Sequence, residues 1–266
     1  MQDSPPTIGL LTEGTSFRSL KLTLGEEFPG YEIESLSAKD LQDRPLIESF
    51  RMVVCAGIPG LKSPYPEYFN QRAMGALFGA VREKGVVLVT ECASSWPFGD
   101  RYSFKTPHRS KHNHRGLAVF KGKMRGPLKY SAPHPLHSHG SDHVVRVRFK
   151  NAAGKKIVTG VGYCNGPLLY LSKNDKGTNV IATYEDVPDH PVAVASKTFG
   201  KGLIVWMGVL PASAARHIPS IGSKGNPRLS NFVQYMTELT KQEPGRKKLM
   251  GVITNTIKTH LSSLRR

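Results

Sequence analysis

The sequence predicts an α/β domain with a mostly parallel central sheet, helices on both faces and some antiparallel strands. Over the first hundred residues, short apolar runs alternate with stretches of helical periodicity, which is typical of a parallel sheet with crossover helices. After residue 140, strand patterns follow one another with short turns such as 173–177 between them, which favours antiparallel pairing. With 266 residues, 39% of them hydrophobic, the chain is long enough for one such domain.

The elements of the first half are bounded by glycine and polar turn residues. A Gly-Thr-Ser segment at 14–16 can cap the first helix, and a second helix is indicated by apolar residues at helical spacing that end at Gly85. The predicted elements, in chain order, are a strand at 7–11, a helix ending near 28, strands at 31–36 and 52–56, a helix at 66–84 and a strand at 86–90. Such an alternation places candidate sites at the carboxyl ends of the strands.

The second half begins with a basic, histidine-rich stretch, about 101–143, which we interpret as an insertion of loops with one short strand at 117–120. The predicted elements beyond it are strands at 144–149, 157–163, 168–171, 180–184, 192–196 and 203–207, and a helix at 229–240 that is broken by Pro244 and Gly245. We therefore expect a single domain over 1–240 and a basic amphipathic helical tail over 241–266. This tail either docks on the domain or binds a partner protein.

The net charge of +17 is concentrated in two segments. Residues 101–156 hold 14 Lys or Arg against one acid, Asp142, and residues 241–266 hold seven against Glu243. Two basic segments on a nearly neutral body indicate a surface that faces a polyanion, with nucleic acid as the first candidate and a solvated basic loop as the alternative. The candidate contact residues are Arg109, Lys111, Arg115, Lys121, Lys123 and Arg125.

Several classes of protein are disfavoured by the composition. No stretch approaches the about 18 continuous apolar residues of a membrane helix, and the N-terminus has neither a basic cluster nor an apolar run, so we expect a cytoplasmic protein with no membrane partner. Three widely spaced cysteines indicate neither a disulfide framework nor a structural zinc site. The histidines at 134, 137, 139 and 143 fit no defined metal-site spacing. We predict no metal and no cofactor.

Cys92 is the most chemically suggestive residue of the chain. It follows the apolar run 86–90 and precedes the small residues 93–95, so it lies at a sharp strand-to-helix corner. A thiol at such a corner has an exposed sulfur, and a helix N-terminus beside it favours the thiolate. We therefore predict that Cys92 is a nucleophile. Glu91, immediately before it, either tunes the thiol or satisfies local backbone donors.

Several motifs are ordered along about 7–240 as in one known family. They are 9–16 (GLLTEGTS), 53–57 (VVCAG), 90–94 (TECAS), 125–127 (RGP), 163–167 (YCNGP) and 206–211 (WMGVLP). Together they resemble the amidotransferase-like domain found at the N-terminus of eukaryotic biotin-protein ligases and as stand-alone bacterial proteins, which is related to class I glutamine amidotransferases. The resemblance implies a flavodoxin-like fold, with Cys92 at the nucleophile elbow and the backbone N–H of Gly57 as an oxyanion donor.

One departure from the family's pattern bears on activity. Where the family has a histidine base and its carboxylate partner after the last strand, this chain has Leu210, Pro211 and Ala212. Leucine cannot accept a proton, so we expect a catalytically weakened or inactive amidotransferase-like protein. His217, only seven residues beyond Leu210, could replace the missing base. The alternative function is nucleic-acid or ribonucleoprotein binding through 101–156.

Overall fold

The structure is a computed structural model. It describes residues 5–12, 16–56, 69–98, 103–105, 111–113, 119–125, 143–163, 166–211 and 241–264. The strands are β1 (Thr7–Leu11), β2 (Glu32–Leu36), β3 (Met52–Ala56), β4 (Val87–Glu91), β5 (Ser103–Lys105), β6 (Lys111–Asn113), β7 (Gly122–Arg125), β8 (His143–Lys150), β9 (Lys156–Tyr163), β10 (Leu168–Leu171), β11 (Thr178–Tyr184), β12 (Val192–Phe199) and β13 (Gly202–Met207). The α-helices are α1 (Ser16–Glu27), α2 (Arg44–Ser49), α3 (Gln71–Gly79) and α4 (Glu243–Ser263).

Eleven of these strands form one sheet with a parallel half and an antiparallel half. Its main order is β2-β1-β3-β4-β13-β12-β11-β8-β9. The pairs from β2 to β13 are parallel, and the pairs from β13 to β9 are antiparallel. The parallel strands β3, β4 and β13 are buried along their whole length, as expected for strands covered on both faces. The predicted fold class is confirmed.

Helices cover both faces of the parallel half. On one face, Leu24 and Phe28 at the end of α1 and Ile253 and Ile257 of α4 belong to the same buried cluster as alternate residues of β1, β3, β4 and β13. On the other face, α2 and α3 contribute Ile47, Leu77 and their neighbours to a second cluster with the remaining residues of those strands. The period-2 alternation of each strand therefore supplies two separate cores.

The strands between residues 119 and 171 belong to the antiparallel half, where β7 and β10 form a two-stranded ribbon. β7 pairs with β10, and β10 pairs with β12, so the β7–β10 ribbon is attached to the side of the main sheet. Residues 119 and 120 form a bend before β7, so the short strand predicted at 117–120 is wrong in position: the strand begins at Gly122. β5 and β6 form a separate two-stranded sheet that the hydrophobic pattern did not indicate.

α4 lies on the sheet with its apolar side, and it begins where a break was predicted. Pro244 stands in its first turn, a position where a missing N–H costs nothing. Gly245 lies within the helix, and a Cβ there would be 2.2 Å from Oγ1 of Thr159 in β9, so the close approach of the helix to the sheet requires glycine. Gln242 extends the contact, since its Oε1 accepts a hydrogen bond of 3.1 Å from the N–H of Gly160. None of the described helices is both long and apolar enough to cross a membrane.

Candidate functional site

The chain turns sharply at Cys92, directly after β4. Cys92 has φ of 53°, in the left-handed region that non-glycine residues seldom adopt, and it opens a 3-10 helix, Cys92–Phe98. The predicted strand-to-helix corner is therefore present, and the helix that follows is a 3-10 helix of seven residues. A strained backbone that the surroundings hold in place is characteristic of functional turns.

Buried hydrogen bonds fix this corner to the neighbouring strand β13. Ser95 Oγ donates to the carbonyl oxygen of Met207 over 2.5 Å and lies 3.1 Å from Thr90 Oγ1. The indole Nε1 of Trp206 donates to the carbonyl oxygen of Ser95 over 2.9 Å. Thr90, Ser95 and Trp206 have no exposed surface, so these bonds form in a dry environment where losing a partner is costly. No role was predicted for these three side chains from the sequence, because partners so far apart along the chain leave no local pattern.

The thiol of Cys92 is buried. Only 1% of the residue is exposed, which corrects the expectation of an exposed sulfur. The physical reason is the position of β4 in the middle of the sheet, between β3 and β13, with the 3-10 helix folded back over its end. Glu91 is equally buried, 1% exposed, and its backbone stands opposite Ala56 of β3 and Met207 of β13.

The pairing of β4 determines which segments flank Cys92. Because Glu91 is paired with Ala56 and with Met207, the next residue on each side is the one after β3 and the one after β13. On the β3 side this residue is Gly57, the predicted oxyanion donor, which lies outside the described residues. On the β13 side the chain continues through Gly208 to Pro211. Among the described residues, the segment that follows β13 is therefore the one that flanks the elbow on this side.

That segment is packed and carries no titratable side chain. Val209 is fully buried and Leu210 is 2% exposed, and the N–H of Leu210 donates to the carbonyl oxygen of Gly162 over 2.7 Å. Leu210 thus forms an isolated antiparallel bridge to the end of β9. The aliphatic residue is part of the folded core.

A second turn presses against the same segment. Gly166 and Gly208 are so close that a Cβ on Gly166 would lie 1.8 Å from the carbonyl oxygen of Gly208, so this contact requires glycine. Two tyrosine hydroxyls complete it: Tyr184 donates to the carbonyl oxygen of Gly208 over 3.1 Å, and Tyr163 donates to that of Gly166 over 2.7 Å. The chain after β13 is consequently held from two sides.

The other predicted base and the metal alternative fall largely outside the described residues. His217 and Ala212 are not described, and neither are His134, His137 and His139. Within the described part of the chain, no group of three or more His, Cys, Asp or Glu residues is placed to hold a metal ion. His190 lies in the turn before β12, where its Nδ1 is 3.1 Å from the carbonyl oxygen of Tyr184.

Three of the six predicted nucleic-acid contacts lie together at β7. Lys121 immediately precedes β7, and Lys123 and Arg125 lie in it; all three are exposed at alternate positions, while Met124 packs against the core. Tyr170 of β10 lies directly opposite Lys123, and the guanidinium carbon of Arg125 is 5.0 Å from its ring centroid. We call these four residues the basic ribbon. Arg109 and Arg115 lie outside the described residues, and Lys111 is in β6 with its side chain not described.

Comparison with known proteins agrees with this architecture. The family described as "Biotin-protein ligase, N terminal" matches residues 12–265. An uncharacterized protein of Chlamydia muridarum is 27% identical over 163 residues, and the match covers 60% of this chain and 60% of that relative's length.

Two solved structures of Thermotoga maritima proteins align with this chain. A glutamine amidotransferase aligns with a TM-score of 0.50 at 12% identity, covering 96% of this chain and 98% of its own. The structure of PurLQS aligns with a TM-score of 0.47 at 14% identity, covering 87% and 99%. The family match extends over nearly the whole length, in agreement with the motifs. The chain belongs to the family of biotin-protein ligase N-terminal domains, and its fold is that of the class I glutamine amidotransferases.

Proposed function

We propose that this protein is an amidotransferase-like scaffold that retains the elbow cysteine, Cys92, but has lost the proton-transfer partner needed for rapid glutamine hydrolysis. The observation that carries the proposal is Leu210, which is buried, bonded to Gly162, and located in the segment that flanks the cysteine. An imidazole at this place would have to displace a packed aliphatic side chain.

The chemistry explains why the loss is severe. Attack of the Cys92 sulfur on an amide carbon forms a C–S bond, and the C–N bond breaks only when the leaving nitrogen receives a proton. A base that takes the thiol proton and returns it to that nitrogen contributes typically about 10²–10⁴-fold. A thiolate without such a partner can attack, but expulsion of the amine from the tetrahedral intermediate stays slow.

A glutaminase assay that follows ammonia release tests the proposal. We expect the unmodified protein and Cys92→Ser to release ammonia at the same background rate. The combined variant Leu210→His and Ala212→Glu restores the family's pattern at this segment, and we expect activity in it that disappears when Cys92→Ser is added. Leu210→Met, which conserves volume without offering a base, is the matched control for repacking.

Two further variants test whether another histidine takes over. If the unmodified protein releases ammonia and this activity is lost in Cys92→Ser, a base is present and the proposal is wrong. His217→Ala and His190→Ala then identify which histidine supplies it. Circular dichroism of every variant distinguishes a chemical loss from an unfolded protein.

We propose nucleic-acid binding through the basic ribbon as a second candidate function. Three exposed cations, one immediately before β7 and two within it, follow the spacing of alternate strand residues, and within the described residues they form no ion pair with an acid. Tyr170 provides an aromatic ring among them, as in proteins that stack unpaired bases while cations bind the phosphates. By contrast, Arg146 and Arg148 of β8 are paired with Asp186 and Glu185.

Binding of a fluorescein-labelled 20-nucleotide oligo(U) at several salt concentrations tests this candidate. We expect the logarithm of the association constant to fall linearly with the logarithm of the salt concentration, with a slope of about 0.7 for each phosphate contact. Replacement of Lys121, Lys123 and Arg125 by Gln is expected to lower that slope by roughly 2.

A charge-matched control tests whether binding depends on the basic ribbon or only on the overall positive charge of the protein. Lys150, Lys155 and Lys156 are exposed at the turn between β8 and β9, and their replacement by Gln removes the same charge. We expect this control variant to keep the slope. If both triple variants weaken binding equally, or if no salt-dependent binding occurs, the ribbon is not a nucleic-acid site.

A further inference from the structure

The two edge strands of the main sheet, β2 and β9, differ in how the rest of the described chain covers them. At one end, β9 is covered by α4 and by Gln242. At the other end, β2 pairs only with β1 among the described strands. An edge strand of this kind carries unpaired N–H and C=O groups that can pair with an additional strand.

The register identifies which backbone groups of β2 face outward. The N–H of Glu32 donates to the carbonyl oxygen of Pro6, so the backbone of Glu32, and of every second residue after it, is directed toward β1. Ile33 and Ser35 therefore direct their N–H and C=O groups to the outer edge. These four groups are enough to hold one added strand over a three-residue stretch.

A concavity lies beside this edge, between β2 and α1. Its volume is about 690 Å³. The apolar part of its lining is formed by Leu22, which is 64% exposed, together with half-buried Tyr31 and Ile33. Gly25 of α1 also lines it, and a Cβ there would meet no atom within 4 Å. The side chains of an added strand that point to the α1 face would enter this apolar space.

The same edge is acidic. Glu32 and Glu34 are exposed and alternate with Ile33 along β2, and both also border the concavity together with Glu26 and Lys21 of α1. Residues 21–39 contain four Glu against two Lys, a net charge of −2 in a chain whose net charge is +17. This local sign is opposite to that of the whole protein, and it repels a second copy of the same edge.

We propose that the outer edge of β2 binds an extended segment of a partner protein in which apolar and basic residues alternate, added to the sheet as a further strand. The apolar residues occupy the concavity over Leu22 and Ile33, and the basic residues lie opposite Glu32 and Glu34. Backbone hydrogen bonds to Ile33 and Ser35 supply affinity, and the alternation supplies specificity. This surface is separate from both Cys92 and the basic ribbon.

A labelled decapeptide of alternating Lys and Val serves as the probe, and fluorescence anisotropy measures its binding to the full chain. We expect binding that is at least tenfold tighter than that of the corresponding Glu–Val decapeptide. Methylation of alternate peptide nitrogens in the Lys–Val probe removes its donors, and we expect this change to abolish binding.

Variants of the protein locate the site. Ser35→Pro removes an outward N–H at an edge position where proline is tolerated, and we expect at least tenfold weaker binding, whereas Ser35→Ala binds as the unmodified protein does. Glu32→Lys with Glu34→Lys is expected to weaken binding by a similar factor. Glu83→Lys with Asp186→Lys makes the same charge change at exposed acids on other elements and is expected to retain binding.

Three outcomes would overturn the proposal. The first is equal binding of the Lys–Val and Glu–Val probes, and the second is full binding by both Ser35→Pro and the Glu32/Glu34 variant. The third is a dimer in sedimentation equilibrium that Ser35→Pro dissociates, because the edge would then be occupied by a second copy. Circular dichroism of each variant confirms that a loss of binding is not a loss of fold.

Discussion

At the scale of single residues, the conformation of Cys92 restricts what can replace it. A β-branched side chain is strained in the left-handed region, at a cost of about 1–3 kcal/mol. We therefore expect Cys92→Val to be less stable than Cys92→Ala by about that amount in urea unfolding, although valine is the more hydrophobic residue. The matched pair is Cys55→Val and Cys55→Ala. Cys55 is equally buried but lies in β3, where the extended backbone favours valine, so the order should be reversed.

Asp175 is the residue whose titration should be visible in the stability of the protein. Burial alone would raise the pKa of Asp175, but hydrogen bonds from Lys197, Thr178 and the backbone N–H of Lys121 together outweigh it and lower the pKa. A lowered pKa in the folded state stabilises the protein above the unfolded value of about 3.9, and this contribution is lost as the pH falls through the folded value.

We therefore expect Asp175→Asn to lower the free energy of unfolding at pH 7 and to reduce the stability lost between pH 5 and pH 2. Urea unfolding at these pH values measures both effects. Asp186→Asn is the control, because the ion pair of Asp186 with Arg146 is more than half exposed on both sides and is worth less than about 1 kcal/mol. If Asp175→Asn and the unmodified protein lose the same free energy of unfolding between pH 5 and pH 2, the pKa of Asp175 is not lowered by folding.

At the scale of elements, replacing glycine by alanine should have opposite effects on stability inside α4 and after α3. Gly251 is inside α4, and a Cβ there would meet no atom within 4 Å. Gly85 has φ of 80° and ends the helical stretch that continues from α3 through Lys84. Gly251→Ala should raise the free energy of unfolding by about 0.5–1 kcal/mol, while Gly85→Ala should lower it by at least as much. Thermal unfolding of the two variants checks both signs, and destabilisation by Gly251→Ala would contradict the helix described for this segment.

Element positions could be predicted from the sequence where burial alone determines the pattern. The strands at 7–11, 52–56 and 168–171 have the predicted bounds, because each is a buried apolar run. α2 was missed because its six residues contain only one buried side chain, Ile47, and are too few to show a period. The start of α4 was missed because Pro and Gly usually end helices. Pro244 is tolerated in the first turn, and Gly245 is required by its close contact with Thr159 of β9.

At the scale of the whole molecule, α4 is a structural part of the domain. Its residues Leu249, Ile253, Ile257 and Leu261 lie in the same cluster as the interior of the sheet. Ile253→Ala should therefore lower the free energy of unfolding by about 2–5 kcal/mol, as a buried large-to-small change does. Thr259→Ala, at an exposed position of the same helix, should change it by less than about 0.5 kcal/mol. A small effect of Ile253→Ala in urea unfolding would mean that the helix does not dock on the sheet in solution.

The candidate site could be predicted only in part, for a reason that lies in its topology. The motifs located Cys92 at the end of a buried strand, and this strand is β4. The bonds that hold the corner join residues 95 and 207, which are 112 positions apart, and no local pattern contains such a pairing. The burial of the thiol was likewise not predictable, since it depends on β13 lying beside β4.

The position of β13 also has a consequence for folding. Among the described strands it comes last along the chain, yet it lies between β4 and β12 and joins the parallel half to the antiparallel half. Until β13 is in place, β4 and β12 each expose an edge without a partner strand. Because β4 and β13 are far apart along the chain, we expect the two halves of the sheet to join late in folding.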